Sequence, residues 1–165
     1  MQELELEFEN MNIRLRITKN DMNPIKMADL KRGFYEEGRM KAVIEKWHNT
    51  IVTKCEDNFV FDYYNETTFY EIKSRNCAFD RYPTTMVGKN KIDFANTLPD
   101  KKFYFIFCFK DGDYIYEYNK DNKLIFDTGG RNDRGRDEYK QYCYIPLRYL
   151  QRITPGVSEL SVLIA

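Results

Sequence analysis

The chain has 165 residues, 42% of them hydrophobic and 16% aromatic, with 13 Tyr and 12 Phe. That is long enough to bury a core without metals or disulfides, and too apolar for a disordered chain. The 26 basic residues balance 26 acidic ones, which argues against a protein that coats nucleic acid through a general excess of Lys and Arg but leaves room for a local patch. No apolar run is long enough for a membrane span, and no charged-then-apolar leader opens the chain, so neither a span nor a signal peptide is expected. Four cysteines (Cys55, Cys77, Cys108, Cys143) lie far apart beside a single histidine. Free thiols in a reducing intracellular compartment are therefore expected, rather than a structural zinc site.

The first 18 residues alternate. Leu4, Leu6 and Phe8 share one face against Glu3, Glu5 and Glu7, and Ile13, Leu15 and Ile17 then alternate with Arg14 and Arg16. A turn at Asn10-Met11 sets Glu7 across from Arg14 and Glu5 across from Arg16, a solvated hairpin face. From Ala28 to Asn49 the steps of Leu30, Phe34, Met40, Ile44 and Trp47 are helical. Gly33 and Gly38 loosen that helix or allow close packing.

Strand-like runs follow at Ile51–Cys55, Phe59–Tyr63 and Thr67–Ser74, the last two joined by a turn at Tyr64-Asn65-Glu66. Pro83-Thr84-Thr85 reads as a helix start, with an amphipathic stretch to about Leu98. The run FYFIFCF, Phe103–Phe109, has the character of a strand buried on both faces. Asp111-Gly112-Asp113 is a turn into Tyr114–Tyr118, and Lys123–Asp127 is a further strand. The expected fold class is α+β, a single domain over residues 1–165 with one mixed sheet.

An acid followed two residues later by lysine occurs five times: Asp29–Lys31, Glu71–Lys73, Asp100–Lys102, Asp121–Lys123 and Glu138–Lys140. The triplet alone carries no weight, so its context has to discriminate. Asp29 falls in the helical stretch, and Asp100 and Asp121 fall in turns. Glu71 lies inside a strand, where residues i and i+2 point the same way about 6.6 Å apart. Glu71, Lys73 and Arg75 then share one face, and Tyr70 and Ile72 the other. The preceding run NFVFDYY holds one acid, Asp62, which the hairpin brings near Glu71 with the register open by a residue or two. Two carboxylates beside a lysine in an apolar sheet are costly unless paired or metal-bound. A surface ion-pair ladder is the plain alternative.

Magnesium takes oxygen ligands at about 2.0–2.1 Å and commonly uses only one or two protein carboxylates. Asp62 and Glu71, with the main-chain carbonyl of Ile72, suit it. Lys73 is then placed to orient an attacking water or to stabilise a pentacovalent phosphorus. Glu138-Tyr139-Lys140, with Asp127 upstream, is the rival, but only 25 residues follow Lys140, too few for a further helix and strand.

Asp62 and then Glu71-Ile72-Lys73 on a hairpin, followed by a helix and an apolar strand, resemble the PD-(D/E)XK nuclease superfamily. The stretch FYEIKSR…YPTTMVGKNKI is similar to compact members of phages and large DNA viruses. The resemblance covers roughly Lys31 to Phe109. It implies a restriction-endonuclease-like core of order αβββαβ, flanked here by the N-terminal hairpin and a C-terminal extension (110–165). It also implies phosphodiester hydrolysis with Mg²⁺, or Mn²⁺ as substitute, acting on DNA. On the same basis Glu37 and Lys91 are supporting groups, ahead of Glu36 and Lys89. Phe61 stands where the namesake proline would be.

Arg75, Lys89 and the Arg131, Arg134 and Arg136 of GGRNDRGRDE are expected contacts to the phosphate backbone. A charged loop neutralised by Asp133, Asp137 and Glu138, and a plain strand-edge role for Arg75, remain open. His48 reads as a helix-end residue, and Tyr82 as a packing or base-stacking group. The resemblance allows a homodimer and implies a place inside the host cell, in cytoplasm or nucleus. A nuclease-fold module that binds nucleic acid or protein without turnover is the alternative from another class.

Overall fold

In this computed structural model the described residues are 4–8, 13–17, 23–130 and 139–153, the first two stretches as backbone alone. Strands β1 (Leu4–Phe8) and β2 (Ile13–Ile17) pair antiparallel, with Glu5 opposite Arg16 and Glu7 opposite Arg14, as the alternation predicts. The expected turn at Asn10-Met11 lies outside the described residues.

Helix α1 (Pro24–Trp47) begins about one turn before the expected Ala28. The reason is its cap. Asn23 Oδ1 accepts from the amides of Ile25 and Lys26 at 3.0 and 3.2 Å, and Pro24 fills the first helical position, where a missing N–H costs nothing. The apolar stripe starts only later, so periodicity alone placed the start too late. The helix closes at His48, whose amide reaches the Ile44 carbonyl at 2.9 Å, and Asn49 turns away with a left-handed φ of 47°. Gly33 does not serve close packing, because a Cβ there would meet nothing within 4 Å.

Strands β3 (Thr53–Lys54), β4 (Tyr63–Tyr64) and β5 (Thr68–Ser74) follow. The runs expected at Ile51–Cys55 and Phe59–Tyr63 shrink to two residues each, since the chain turns at Asp57 and Asn58 and bends from Phe59 to Asp62. That detour carries Phe61 into the core, where it is 2% exposed. Asn65 shapes the next turn, its side chain accepting from the Thr67 amide at 3.0 Å.

The largest departure is at Pro83-Thr84-Thr85. Instead of a helix start, Thr84–Gly88 is a strand, β6, and helix α2 runs only from Lys89 to Thr97. The β-branched Thr84, Thr85 and Val87 suit a strand, but what decides it is a partner far along the chain. Strands β7 (Lys102–Phe109), β8 (Gly112–Glu117), β9 (Ile125–Gly129), β10 (Lys140–Pro146) and β11 (Gln151–Arg152) complete the set. Gly112 and Asp113 thus already belong to β8, and the expected strand at Lys123–Asp127 is shifted to Ile125–Gly129. In place of one mixed sheet there are a six-stranded mixed sheet, β11-β8-β7-β5-β4-β3, and a three-stranded antiparallel sheet, β6-β10-β9. In the larger sheet β5 and β7 are parallel, joined through β6 and α2.

The two sides of β7 are both buried, as the run FYFIFCF predicts. Phe103, Phe105 and Phe107 share a cluster with Phe61 from the bend before β4 and with Val87, Ile92, Cys143 and Ile145 from the layer made by α2 and the small sheet. Ile106 and Cys108 face Met40 and Ile44 of α1, with Tyr70, Ile72 and Ile115. The central strands are thereby sandwiched, and charge at their edge is held in a largely apolar frame. Four free cysteines are present. Among the described residues no helix is long and apolar enough to cross a membrane.

Candidate active site

Asp62 precedes β4 by one residue, and carrying the register Tyr63 opposite Tyr70 back one step sets it opposite Glu71. Its amide donates to the Tyr70 carbonyl at 3.0 Å and its carbonyl accepts from the Cys55 amide at 2.8 Å. Its carboxylate Oδ2 accepts from the Ile72 amide at 2.7 Å. Backbone and side chain are both pinned to the β4–β5 hairpin.

Glu71 shares the sheet face of Phe105, its partner on β7, and its side chain is 1% exposed. It does not belong to a solvated surface ladder. Two ammonium groups compensate its buried charge. Lys73 Nζ lies 2.5 Å from Oε1, and Lys91 Nζ lies 3.1 Å from each carboxylate oxygen. Lys91 comes from the first turn of α2, also donates to the Val60 carbonyl, and stands 5.8 Å from the Phe61 ring centroid. Glu37, on α1, is paired with Lys54 at 3.5 Å. Lys54 carries no signal in the sequence, because only the pairing of β3 with β4 brings it there.

These groups act on one another. Burial, then the neighbouring Glu71 and Glu37, push the Asp62 carboxyl up to about 7, against the Ile72 amide and Lys73, which pull it down. Burial likewise raises Glu37, with Lys54 opposing and Glu71 adding to the rise. For Lys73, burial disfavours the ammonium, but Glu71 and Asp62 outweigh it and the pKa rises. Lys73 therefore keeps its proton.

Glu37, Ile72, Lys73, Arg75 and Lys91 line one cleft of about 810 Å³, walled by α1, the end of β5, the start of α2 and β10. Arg32, not singled out by sequence, lines it as well, donating to Ser74 Oγ at 2.9 Å and to Asp29 at 2.7 Å. So does Lys140. The rival triplet is thus no separate centre: Tyr139 and Lys140 face the same cleft, Glu138 is outside the described residues, and the carboxylate of Asp127 accepts from the Thr128 amide at 2.7 Å. A slightly larger cleft, about 890 Å³, is lined by Trp47, Tyr104, Tyr118 and others and shares no residue with this one.

The expected backbone contacts fare differently. Arg75 donates to Thr85 Oγ1 at 3.2 Å, the Ser74 carbonyl at 3.3 Å and the Met86 carbonyl. It lies over Phe107, and burial pushes it down to about 10. Lys89 is outside the cleft lining and pairs with Asp93 at 2.8 Å. Arg131, Arg134 and Arg136 lie outside the described residues.

A hard divalent cation fits Asp62 and Glu71 by donor chemistry. Both offer carboxylate oxygens, both are removed from bulk water, and their mutual repulsion is the kind of strain a cation relieves. Among the described residues a tighter crowd of ligand-type atoms, within 4.8 Å of one another, belongs to Glu36, Cys108 and Asp113. Arg39 already occupies both carboxylates, at 2.6 and 2.7 Å. That group is a bridge between α1 and β8.

A family model described as "Phage putative PDDEXK endonuclease" matches residues 31–153. The chain belongs to this family. No curated protein and no solved structure matches it. PDDEXK membership implies a restriction-endonuclease-like fold, which the two helices and the mixed six-stranded sheet accommodate. The match runs well past Phe109, where the resemblance in sequence ends, and takes in β8, the small sheet and β11. The matched stretch includes the strand that carries Lys140.

Proposed function

We propose that the protein is a DNA endonuclease that hydrolyses phosphodiester bonds with a divalent cation, magnesium or manganese as substitute. The observation that carries this is the setting of Glu71: a buried carboxylate opposite Asp62 and held between Lys73 and Lys91, the two ammonium groups that line the open cleft in front of it. Asp62, Glu71 and the Ile72 carbonyl would hold the cation. When bound, it supplies activation of a water and neutralisation of charge on the scissile phosphate.

The chain's own groups do the rest. The Asp62 oxygen bonded to the Ile72 amide fixes the orientation of the carboxylate. Lys73, protonated and a third exposed, is placed to donate to a phosphate oxygen or to hold the attacking water in line. Lys91 locks the Glu71 carboxylate and adds a second positive charge. Glu37 extends the negative field that attracts a cation, with Lys54 limiting its repulsion of Asp62.

The test is cleavage of plasmid, linear duplex, single-stranded and branched DNA in Mg²⁺, Mn²⁺ or EDTA, for wild type and Lys73→Ala. Metal-dependent cutting that drops about 10²-fold or more in the variant is expected. Wild-type protein that cuts none of these in either metal overturns the proposal and leaves a nuclease fold used for binding.

A further inference from the structure

The cations that line the cleft are not equivalent. Arg32 is engaged by Ser74 and Asp29. Lys73 and Lys91 are both spent on Glu71. Arg75 is tied to Thr85 and to two main-chain carbonyls. Lys140 differs from all of them. Among the described residues it has neither a carboxylate nor a hydrogen-bond partner; its Nζ lies 5.4 Å from the centroid of the Tyr142 ring, two residues along the same strand. A cation over an aromatic face keeps its charge and most of its donor capacity while its stem is held in place.

Its position is set by the small sheet. Lys140 pairs with Gly129 at the outer end of β10, and the next inward pair on the same face is Tyr142 with Asp127. The same strand pairs on its other side with β6, where Tyr142 meets Gly88, the residue just before α2. Gly88 brings the two walls together: a Cβ there would lie 2.4 Å from Asn90 Oδ1 and 3.8 Å from Lys140 Nζ. The ammonium thus stands beside the segment that delivers Asn90 and Lys91 to the cleft.

We propose that Lys140 is a substrate-positioning residue that binds a backbone phosphate of the nucleic acid, next to the one being cut. The identity of the ligand rests on the nuclease reading; the need for an anion rests on the geometry. An ammonium without a carboxylate partner among the described residues, in a cleft whose other cations are each tied to a protein group, suits a phosphate beside the one that Lys73 would meet. Because the contact is to the backbone, it sets affinity and register and carries no base preference.

The experiment is DNA binding in EDTA across a salt series, by fluorescence anisotropy, for wild type, Lys140→Ala and Lys140→Arg, with steady-state cleavage of the same duplex in Mg²⁺. Lys140 is exposed, so the variants keep the fold, which circular dichroism checks. Lys140→Ala is expected to bind several-fold more weakly, equally for unrelated sequences. The slope of log K against log salt is expected to fall by about one. Lys140→Arg is expected to restore both, and cleavage by Lys140→Ala to show a raised KM with kcat little changed.

Unaltered affinity, slope and KM in Lys140→Ala overturn the inference, and leave the nuclease reading standing if that variant still cuts. Wild type that binds through Lys140 but never cuts upholds the inference and ends the nuclease reading. A protein that binds no DNA at any salt overturns the inference as well.

Discussion

Asp62 is the residue at which chemistry and stability pull hardest against each other. Burial and the nearby Glu71 and Glu37 push its carboxyl from an ordinary 3.8 up to about 7. A carboxyl raised on folding favours the folded state only while protonated, so its contribution is fully present below about pH 4 and is lost as pH rises toward 7. Asp62→Asn removes that pH-dependent cost and still accepts from the Ile72 amide. In EDTA, urea denaturation should show little difference between the two proteins near pH 4, with the variant more stable by on the order of 2 kcal/mol near pH 8. Magnesium should close the gap by stabilising wild type alone. A gap independent of pH would mean that Asp62 does not titrate with the fold. The proximity of Asp62, Glu71 and Lys73 was legible in the sequence because a lone acid and an acid–lysine triplet interrupt two apolar runs joined by one turn. Lys54 and Arg32 were not, since ordinary surface lysines and arginines look alike until a particular strand or helix delivers them.

Among the elements, α1 is fastened to the sheet by more than its apolar stripe. Arg39 donates two parallel bonds to Asp113 on β8, at 2.7 Å each, and one to Glu36 at 2.7 Å. Its partners raise its pKa further, Asp113 first, against the effect of burial. Arg39→Ala would leave two carboxylates beside the buried Cys108 without a counter-charge. A loss of about 1.5–3 kcal/mol is expected, read as a lower urea midpoint at unchanged m. A loss below that range would show the bridge to be incidental. Because α1 also carries Glu37 into the cleft, this bridge holds one wall of the site. The same dependence of one element on another explains β6. Thr84 to Gly88 is bounded by proline and glycine and follows no clear helical stripe, so a cap-like Pro-Thr-Thr could pass for a helix start. Pairing of Thr85 with Ile145 and Val87 with Cys143 makes it a strand.

Taken as a whole, the molecule sets its candidate site on β5, a strand paired on both sides within the main sheet. Phe105, with no exposed surface, sits opposite Glu71 on β7 and belongs to the cluster shared by the main sheet, α2 and the small sheet. Phe105→Ala should cost about 3–5 kcal/mol in chemical denaturation. It should also impair cleavage at temperatures where the variant is still folded, because the cavity opens beside Glu71, the partner of Phe105 on β5. A folded variant with full activity would show that the site is carried by the hairpin alone.

Local pattern was enough to reveal the N-terminal pairing, the long first helix, the doubly buried strand at Phe103–Phe109 and the acids and lysines worth weighing. Each of these is written in a period, or in a charge where charge is expensive, and both are properties of a few neighbouring residues. The second sheet, the true start of α2, the partners of Arg39 and the placing of Lys140 against Gly88 were settled by folding in three dimensions. They depend on residues 56 positions apart finding one another, as Cys143 finds Val87. Such pairing is decided by the burial of whole layers, a cooperative quantity that no short window of sequence contains.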